Sequence, residues 1–161
     1  METFPVRIGD IVVTQNPNKL EALGVGSCII LVIYDEITKI AGMAHILLPE
    51  TIKSDNGPPG KYADSAVIEL IRQVVIKGGN RNRLKSKMVG GARMFELSSQ
   101  TEGILDVGKR NAIAVKLWLE KNGIPLVAED ISGSQGRSIT YDSSTNQIEI
   151  RYALHTYNRY L

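Results

Sequence analysis

One cysteine and one histidine stand where the sequence could bring them together. Cys28, the only cysteine in the chain, follows the glycine-rich stretch Gly24-Val25-Gly26-Ser27 and opens the apolar run "CIILVIY". His45 lies seventeen residues later in "GMAHILLP". A free thiol titrates near ~8.5, and an imidazolium together with the N–H groups of a glycine turn can lower that value by several units. The resulting thiolate attacks an acyl carbon, and the histidine carries the proton to the leaving group. Gly24, Gly26 and Ser27 are the candidate oxyanion and substrate loop, because a backbone with few Cβ atoms can approach a substrate closely. The plainer alternative is a buried structural thiol beside a satisfied core histidine. One cysteine and two histidines, His45 and His155, without close spacing do not make a zinc site, so no metal is expected. No cofactor is expected either.

The elements that must position this pair are readable. Cys28–Tyr34 is a β-branched and aromatic run, as expected of a strand buried on both faces. Residues 40–48 read as a second strand, and the connection "DEITK" suits a β-hairpin. If paired residue numbers sum to 73, Cys28 and His45 stand directly opposite on one face. If they sum to 74, His45 turns to the other face, and a bulge could reset either register.

Further strands are expected at 10–15, 85–92, 124–129, 137–141 and 147–153. Tyr62–Lys77 carries apolar residues at helical spacing and is stopped by Gly78-Gly79. Asn111–Asn122 reads as a second amphipathic helix, with Ala112, Val115, Trp118 and Leu119 on its apolar face. Many strands with two helices, and no regular βαβ alternation, predict one α+β domain over residues 1–161, a mixed α/β layered sandwich.

Composition narrows the function. With 161 residues, 43% of them hydrophobic, the chain can bury a core unaided. A net charge of +2 does not suggest a polyanionic partner. The basic segment "RNRLKSK" has no interleaved aromatic residue for base stacking and reads as a solvated strand face, so no nucleic acid is expected. No apolar run approaches the ~20 residues of a membrane helix, and "METFPVRIGD" does not read as a signal peptide. The expected location is cytoplasmic, without membrane insertion.

The combination of motifs resembles the CheD family, the chemoreceptor glutamine deamidases of bacterial and archaeal chemotaxis. It is carried by "NPN", "LGVGSCIILVIYD", "AGMAHILLP", "GKYADSAV", "KSKMVGGARMF", "VGKRNAIAV", "AED" and "GRSITYD", nearly the whole chain. The resemblance implies hydrolysis of selected glutamine side chains on the cytoplasmic helices of methyl-accepting chemotaxis proteins, giving glutamate and ammonia. This is the activity of a protein-glutamine glutaminase, a cysteine-dependent amidohydrolase. Some members are also reported to hydrolyse receptor glutamyl methyl esters. The resemblance further implies a fold like the deamidase domain of cytotoxic necrotizing factor toxins and a CheC-type phosphatase partner. Cys28 takes the nucleophile's place and His45 that of the general base.

Two positions depart from the family pattern. The threonine expected six residues before the cysteine, third member of a triad that orients the histidine, is Ala22 here. The "GG" expected after "ED" reads Ser132-Gly133. Without a hydroxyl at position 22, another group must orient His45 or catalysis is weakened. The alternative function is therefore a catalytically weak adaptor that binds CheC and chemoreceptors.

Overall fold

All seven residues of Ile29–Asp35 are buried, and so are all seven of Ile40–Ile46. An uninterrupted apolar strand needs cover on both of its faces, and the fold supplies it. The computed structural model describes residues 1–94, 106–154 and 157–161; His155 lies outside them. The strands are β1 (Thr3–Pro5), β2 (Ile11–Gln15), β3 (Lys19–Val25), β4 (Ile29–Asp35), β5 (Ile40–Ile46), β6 (Lys85–Gly90), β7 (Leu126–Ile131), β8 (Arg137–Asp142), β9 (Gln147–Tyr152) and β10 (Asn158–Tyr160). The α-helices among these residues are α1 (Ala63–Lys77) and α2 (Val107–Lys121).

Two five-stranded sheets form, in the orders β2-β5-β4-β6-β7 and β1-β3-β8-β9-β10. Both are mixed, with β6–β7 and β1–β3 pairing parallel. Alternate residues of β4 serve different layers, as the period of two requires. Ile29, Leu31 and Ile33 pack with Leu70 and Val74 of α1 and Val115 and Leu119 of α2. Ile30, Val32 and Tyr34 pack with Leu20, Ile139, Tyr141 and Ile150 of the second sheet. The result is three layers, helices on sheet on sheet, in agreement with the α+β sandwich expected from the sequence.

Helix ends follow local chemistry. Gly78 caps α1 at φ +125°, and its N–H reaches the Val74 and Val75 carbonyls. α2 begins four residues before the expected Asn111, because the Asp106 side chain accepts from the Lys109 N–H and caps the helix there. A Cβ on Gly108 would lie 2.5 Å from the Gly91 carbonyl oxygen, so the first turn of α2 rests directly on the backbone beyond β6.

Strands β1, β3 and β10 go beyond the sequence expectation. The basic segment is also not one strand face: Arg81–Arg83 is a 3-10 turn, and only Lys85 and Lys87 lie on β6. Its cations are engaged within the fold, Arg83 with Asp35, Lys85 with Glu36, and Lys87 with the Asn146 carbonyl.

Candidate active site

The β4–β5 register decides whether Cys28 and His45 can meet. The pairs are Ile29↔Ile46 and Ile30↔His45, so residue numbers sum to 75 and neither anticipated register occurs. The parity is that of 73, which keeps Cys28 and His45 on one face. They are diagonal rather than opposite neighbours, at a typical Cβ separation of ~7 Å. Both side chains line an open cleft of about 910 Å³, together with Val6, Arg7, Leu23, Gly24, Gly26 and Met94.

The turn that carries Cys28 is fixed by its carbonyls. Gly26 O accepts from the Ala92 N–H at 3.0 Å, Ser27 O from Asn111 Nδ2 at 3.0 Å, and Cys28 O from the Gly91 N–H at 2.9 Å. A Cβ on Gly90 would lie 2.3 Å from Cys28 O, so the pair Gly90-Gly91 in "MVGGA" lets β6 approach the turn that carries Cys28. The Gly90 carbonyl accepts from Arg137 Nη1 and from the Ser132 N–H. Arg137 is itself paired with buried Asp130 at 3.3 Å. Ser132 holds φ +67° to make its contact, a conformation that glycine adopts at less cost.

The loop is shorter than the glycine spacing implied. Gly24 and Val25 belong to β3, where the register against β8 shifts between Ala22 and Val25. That irregularity leaves Leu23 exposed at the cleft. The Gly24 N–H already donates to Ser138 Oγ at 3.1 Å. Gly26 and Ser27 form the turn proper and line the cleft beside Cys28.

His45 is held from three sides by residues 6–10. Its Nδ1 lies 3.0 Å from the Val6 carbonyl oxygen, its own N–H donates to Asp10 O, and its carbonyl accepts from the Gly9 N–H. A carbonyl can only accept, so Nδ1 carries the hydrogen and Nε2 keeps its lone pair. A backbone carbonyl thus performs the orienting contact for which the sequence offered no side chain. Ala22 is 1% exposed in β3 and packs into the core between the sheets, not into the cleft.

Both groups rest uncharged. Burial pushes the Cys28 thiol up to about 11, only partly offset by its own backbone N–H. Burial likewise pulls the His45 imidazole below its ordinary value, against the Val6 carbonyl and the charge of Asp10. The lowered thiol pKa expected from the sequence is not found. Among the described residues no group of three or more His, Cys, Asp or Glu side chains could hold a metal ion.

The Val6 carbonyl and the rim of Ile8, Leu23 and Met94 carry no residue-type signal of a site. Asn111 carries one, as a polar interruption of an apolar helix stripe.

Comparison with known proteins agrees with the motifs. A model of the family described as "CheD chemotactic sensory transduction" matches residues 47–152. The chain belongs to the CheD family. The matched segment begins just after His45, so the pair itself rests on the geometry above. A relative from Caldanaerobacter subterraneus subsp. tengcongensis is 43% identical, covering 94% of each chain. One from Desulfitobacterium hafniense is 40% identical over 93% of each, and one from Methanococcus vannielii is 41% identical over 91% of this chain and 92% of its own. All three carry the name "Probable chemoreceptor glutamine deamidase CheD". Among the described residues no helix is long and apolar enough to cross a membrane.

Proposed function

We propose that this CheD-family protein is a cytoplasmic deamidase of chemoreceptor glutamines, with Cys28 as nucleophile and His45 as general base. The observation that carries this reading is the Nδ1 contact to the Val6 carbonyl, which leaves Nε2 free on the face that Cys28 shares. The substrate glutamine enters the cleft, and Nε2 takes the thiol proton as Sγ adds to the amide carbon. Backbone N–H groups of the 26–28 turn receive the developing oxyanion. The C–N bond breaks, His45 returns its proton to the leaving nitrogen, and ammonia departs. Water, deprotonated by Nε2, then hydrolyses the thioester to glutamate and restores the thiol. Receptor glutamyl methyl esters fit the same chemistry, with methanol as the leaving group.

The uncharged resting pair suits this order of events, because the thiolate arises only as the proton moves to His45. The apolar rim of Ile8, Leu23 and Met94 suits docking of a helix with apolar residues beside its glutamine. The test is mass spectrometry of receptor cytoplasmic fragments incubated with the protein, reading the ~1 Da gain of amide-to-acid conversion. Conversion should be lost in Cys28→Ala and fall by about 10²- to 10⁴-fold in His45→Ala. Conversion that persists in Cys28→Ala would end this assignment.

One observation favours a second reading, a weakly catalytic adaptor that engages receptors and a CheC-type phosphatase. The thiol is 6% exposed and lies far from its ionised form. In that case receptor fragments bind with unchanged mass, and Cys28→Ala binds CheC and receptors as the wild type does.

A further inference from the structure

Asn111 is the one residue on the buried face of α2 that packing does not explain. It stands one turn before Val115 and two before Leu119, and it is fully buried. Its Nδ2 donates to the Ser27 carbonyl at 3.0 Å and to the Leu47 carbonyl at 2.9 Å. Its Oδ1 is buried without a partner among the described residues. Turning the amide over would set an oxygen against two carbonyl oxygens and lose both bonds, so the chemistry fixes the orientation. A leucine at this position would avoid the unpaired Oδ1 but would strip the Ser27 and Leu47 carbonyls of these donors. The position therefore uses the two donors at the expense of the acceptor.

The places of those two carbonyls suggest the reason. Ser27 immediately precedes Cys28, and Leu47 follows His45 by two residues, across from Cys28 if the β4–β5 register is continued. One side chain thus ties the nucleophile turn to the histidine strand from the helix side of the sheet. The Ser27–Cys28 peptide is trans and planar, so its C=O and N–H point in opposite directions. Asn111 draws the carbonyl toward α2. The Cys28 N–H consequently points to the opposite face, where the Cys28 side chain and the cleft lie.

We infer that Asn111 is a positioning residue for acyl transfer, holding the Ser27 carbonyl toward α2 so that the Cys28 N–H faces the cleft as an oxyanion donor. This rests on the deamidase reading above. It also explains why the segment "VGKRNAIAV" places a glycine three residues before this asparagine. Gly108 lets α2 close on Gly91, bringing position 111 within reach of Ser27.

An oxyanion donor acts only where a carbonyl becomes tetrahedral, and this gives a readout that plain stability does not move. Cys28 of the full chain would be acylated with p-nitrophenyl acetate. There the S–C bond forms, the ester C–O bond breaks, p-nitrophenolate leaves with the electron pair, and the thiol proton passes to His45 Nε2. In parallel it would be alkylated with iodoacetamide, where S–C forms, C–I breaks, iodide leaves with the electron pair, the thiol proton again passes to His45 Nε2, and no oxyanion arises. Asn111→Leu should slow acylation by about 10²-fold relative to wild type, with alkylation within about threefold. Asn111→Ser, which keeps one donor, should fall between and carries the test if the leucine variant does not fold. Leu119→Ala, which loosens the same helix without touching Ser27, should leave the ratio of the two rates unchanged.

Equal slowing with both reagents, or unslowed acylation, would overturn the role of Asn111. Neither reagent is a receptor, so the two readings fail separately. A normal ratio shift beside wild-type receptor fragments of unchanged mass would overturn the deamidase reading alone. A wild-type thiol inert to both reagents would overturn both.

Discussion

Strand β4 ends in a buried ionisable group on each side, and the fold treats the two protons in opposite ways. At the hairpin end Asp35 is fully buried and held charged. Burial alone would raise its carboxyl, but Arg83 Nε and Nη2 donate at 3.1 and 2.8 Å and the Asn80 and Ile37 N–H groups at 2.8 and 2.9 Å. Together they hold it well below the usual carboxylate range. At the open end no charged group among the described residues offsets the burial of Cys28, and burial leaves it protonated. The same hairpin therefore carries an anchor with every lone pair engaged and, at its other end, a protonated thiol beside an open cleft.

Substitutions at the two ends should separate these roles, with the largest effect on activity at Cys28. Cys28→Ala should lower deamidation of a receptor fragment by about 10⁴-fold or more. Its melting temperature should move by no more than about 2 °C, since the thiol is small and sits before the strand begins. Asp35→Ala should do the reverse. Loss of the carboxylate removes the hydrogen bonds it accepts from Arg83 and from two backbone N–H groups, at about 3 kcal/mol, or roughly 6–12 °C for a chain of this size, while kcat of the folded fraction stays within about twofold. Calorimetry beside the mass assay reads both. If Cys28→Ala unfolds, or Asp35→Ala inactivates a protein that remains folded, the division between anchor and reactive group is wrong.

The pH dependence should sharpen the contrast. With His45 below its ordinary value, deamidation should rise with pH on a limb whose midpoint lies below ~6.5. Alkylation of Cys28 should keep rising toward about 11 instead of levelling near the value of a free thiol. Stability follows the same signs. Unfolded His45 binds its proton more readily than the native imidazole, so its contribution is present above ~6.5 and is lost as pH falls below that value. Native Cys28 holds its proton more tightly than the unfolded thiol. Its contribution is present at neutral pH and is lost as pH rises from the ordinary thiol range through about 11. Urea midpoints of the wild type and His45→Gln across this range measure the histidine part. An alkylation plateau near neutral pH would instead reveal a resting thiolate–imidazolium pair.

These properties were unevenly legible in the sequence. The strands expected at 28–34 and 40–48, found at Ile29–Asp35 and Ile40–Ile46, and the two helices were readable, because burial on two faces and helical spacing write themselves into residue type. The register was not, since a sum of 73, 74 or 75 depends on how the connection between β4 and β5 turns. Strand β3 was missed because "KLEALGV" alternates weakly and ends in a bulge. The edge strands β1 and β10, three residues each, owe their form to their neighbours rather than to propensity. The pair Cys28–His45 was legible as chemistry, but its electrostatics were not, because burial is a property of three layers. The Val6 carbonyl carries no residue-type signal at all.

The smallest expected effect belongs to Ala22, where the chain departs from its family. If a hydroxyl at that position were needed to orient the imidazole, Ala22→Thr would raise kcat, and one modest hydrogen bond of ~1.4 kcal/mol would give about tenfold. The geometry argues otherwise. The Nδ1 hydrogen is already given to the Val6 carbonyl at 3.0 Å, and an Nδ1–H makes one good hydrogen bond. Ala22 is packed between the sheets beside Leu20, Val25 and Ile139, so a threonine brings two heavy atoms into a filled space. Overpacking of this kind costs about 1–3 kcal/mol, and the new hydroxyl must also find a partner. Single-turnover deamidation by Ala22→Thr should therefore match the wild type within about twofold, with a melting point lower by roughly 2–12 °C. A clear rise in kcat at unchanged stability would show that the Val6 carbonyl holds His45 less well than a side chain can. The anchor at Asp35 would then be the only fully engaged end of the hairpin, and the loose end would extend to the base as well as the nucleophile.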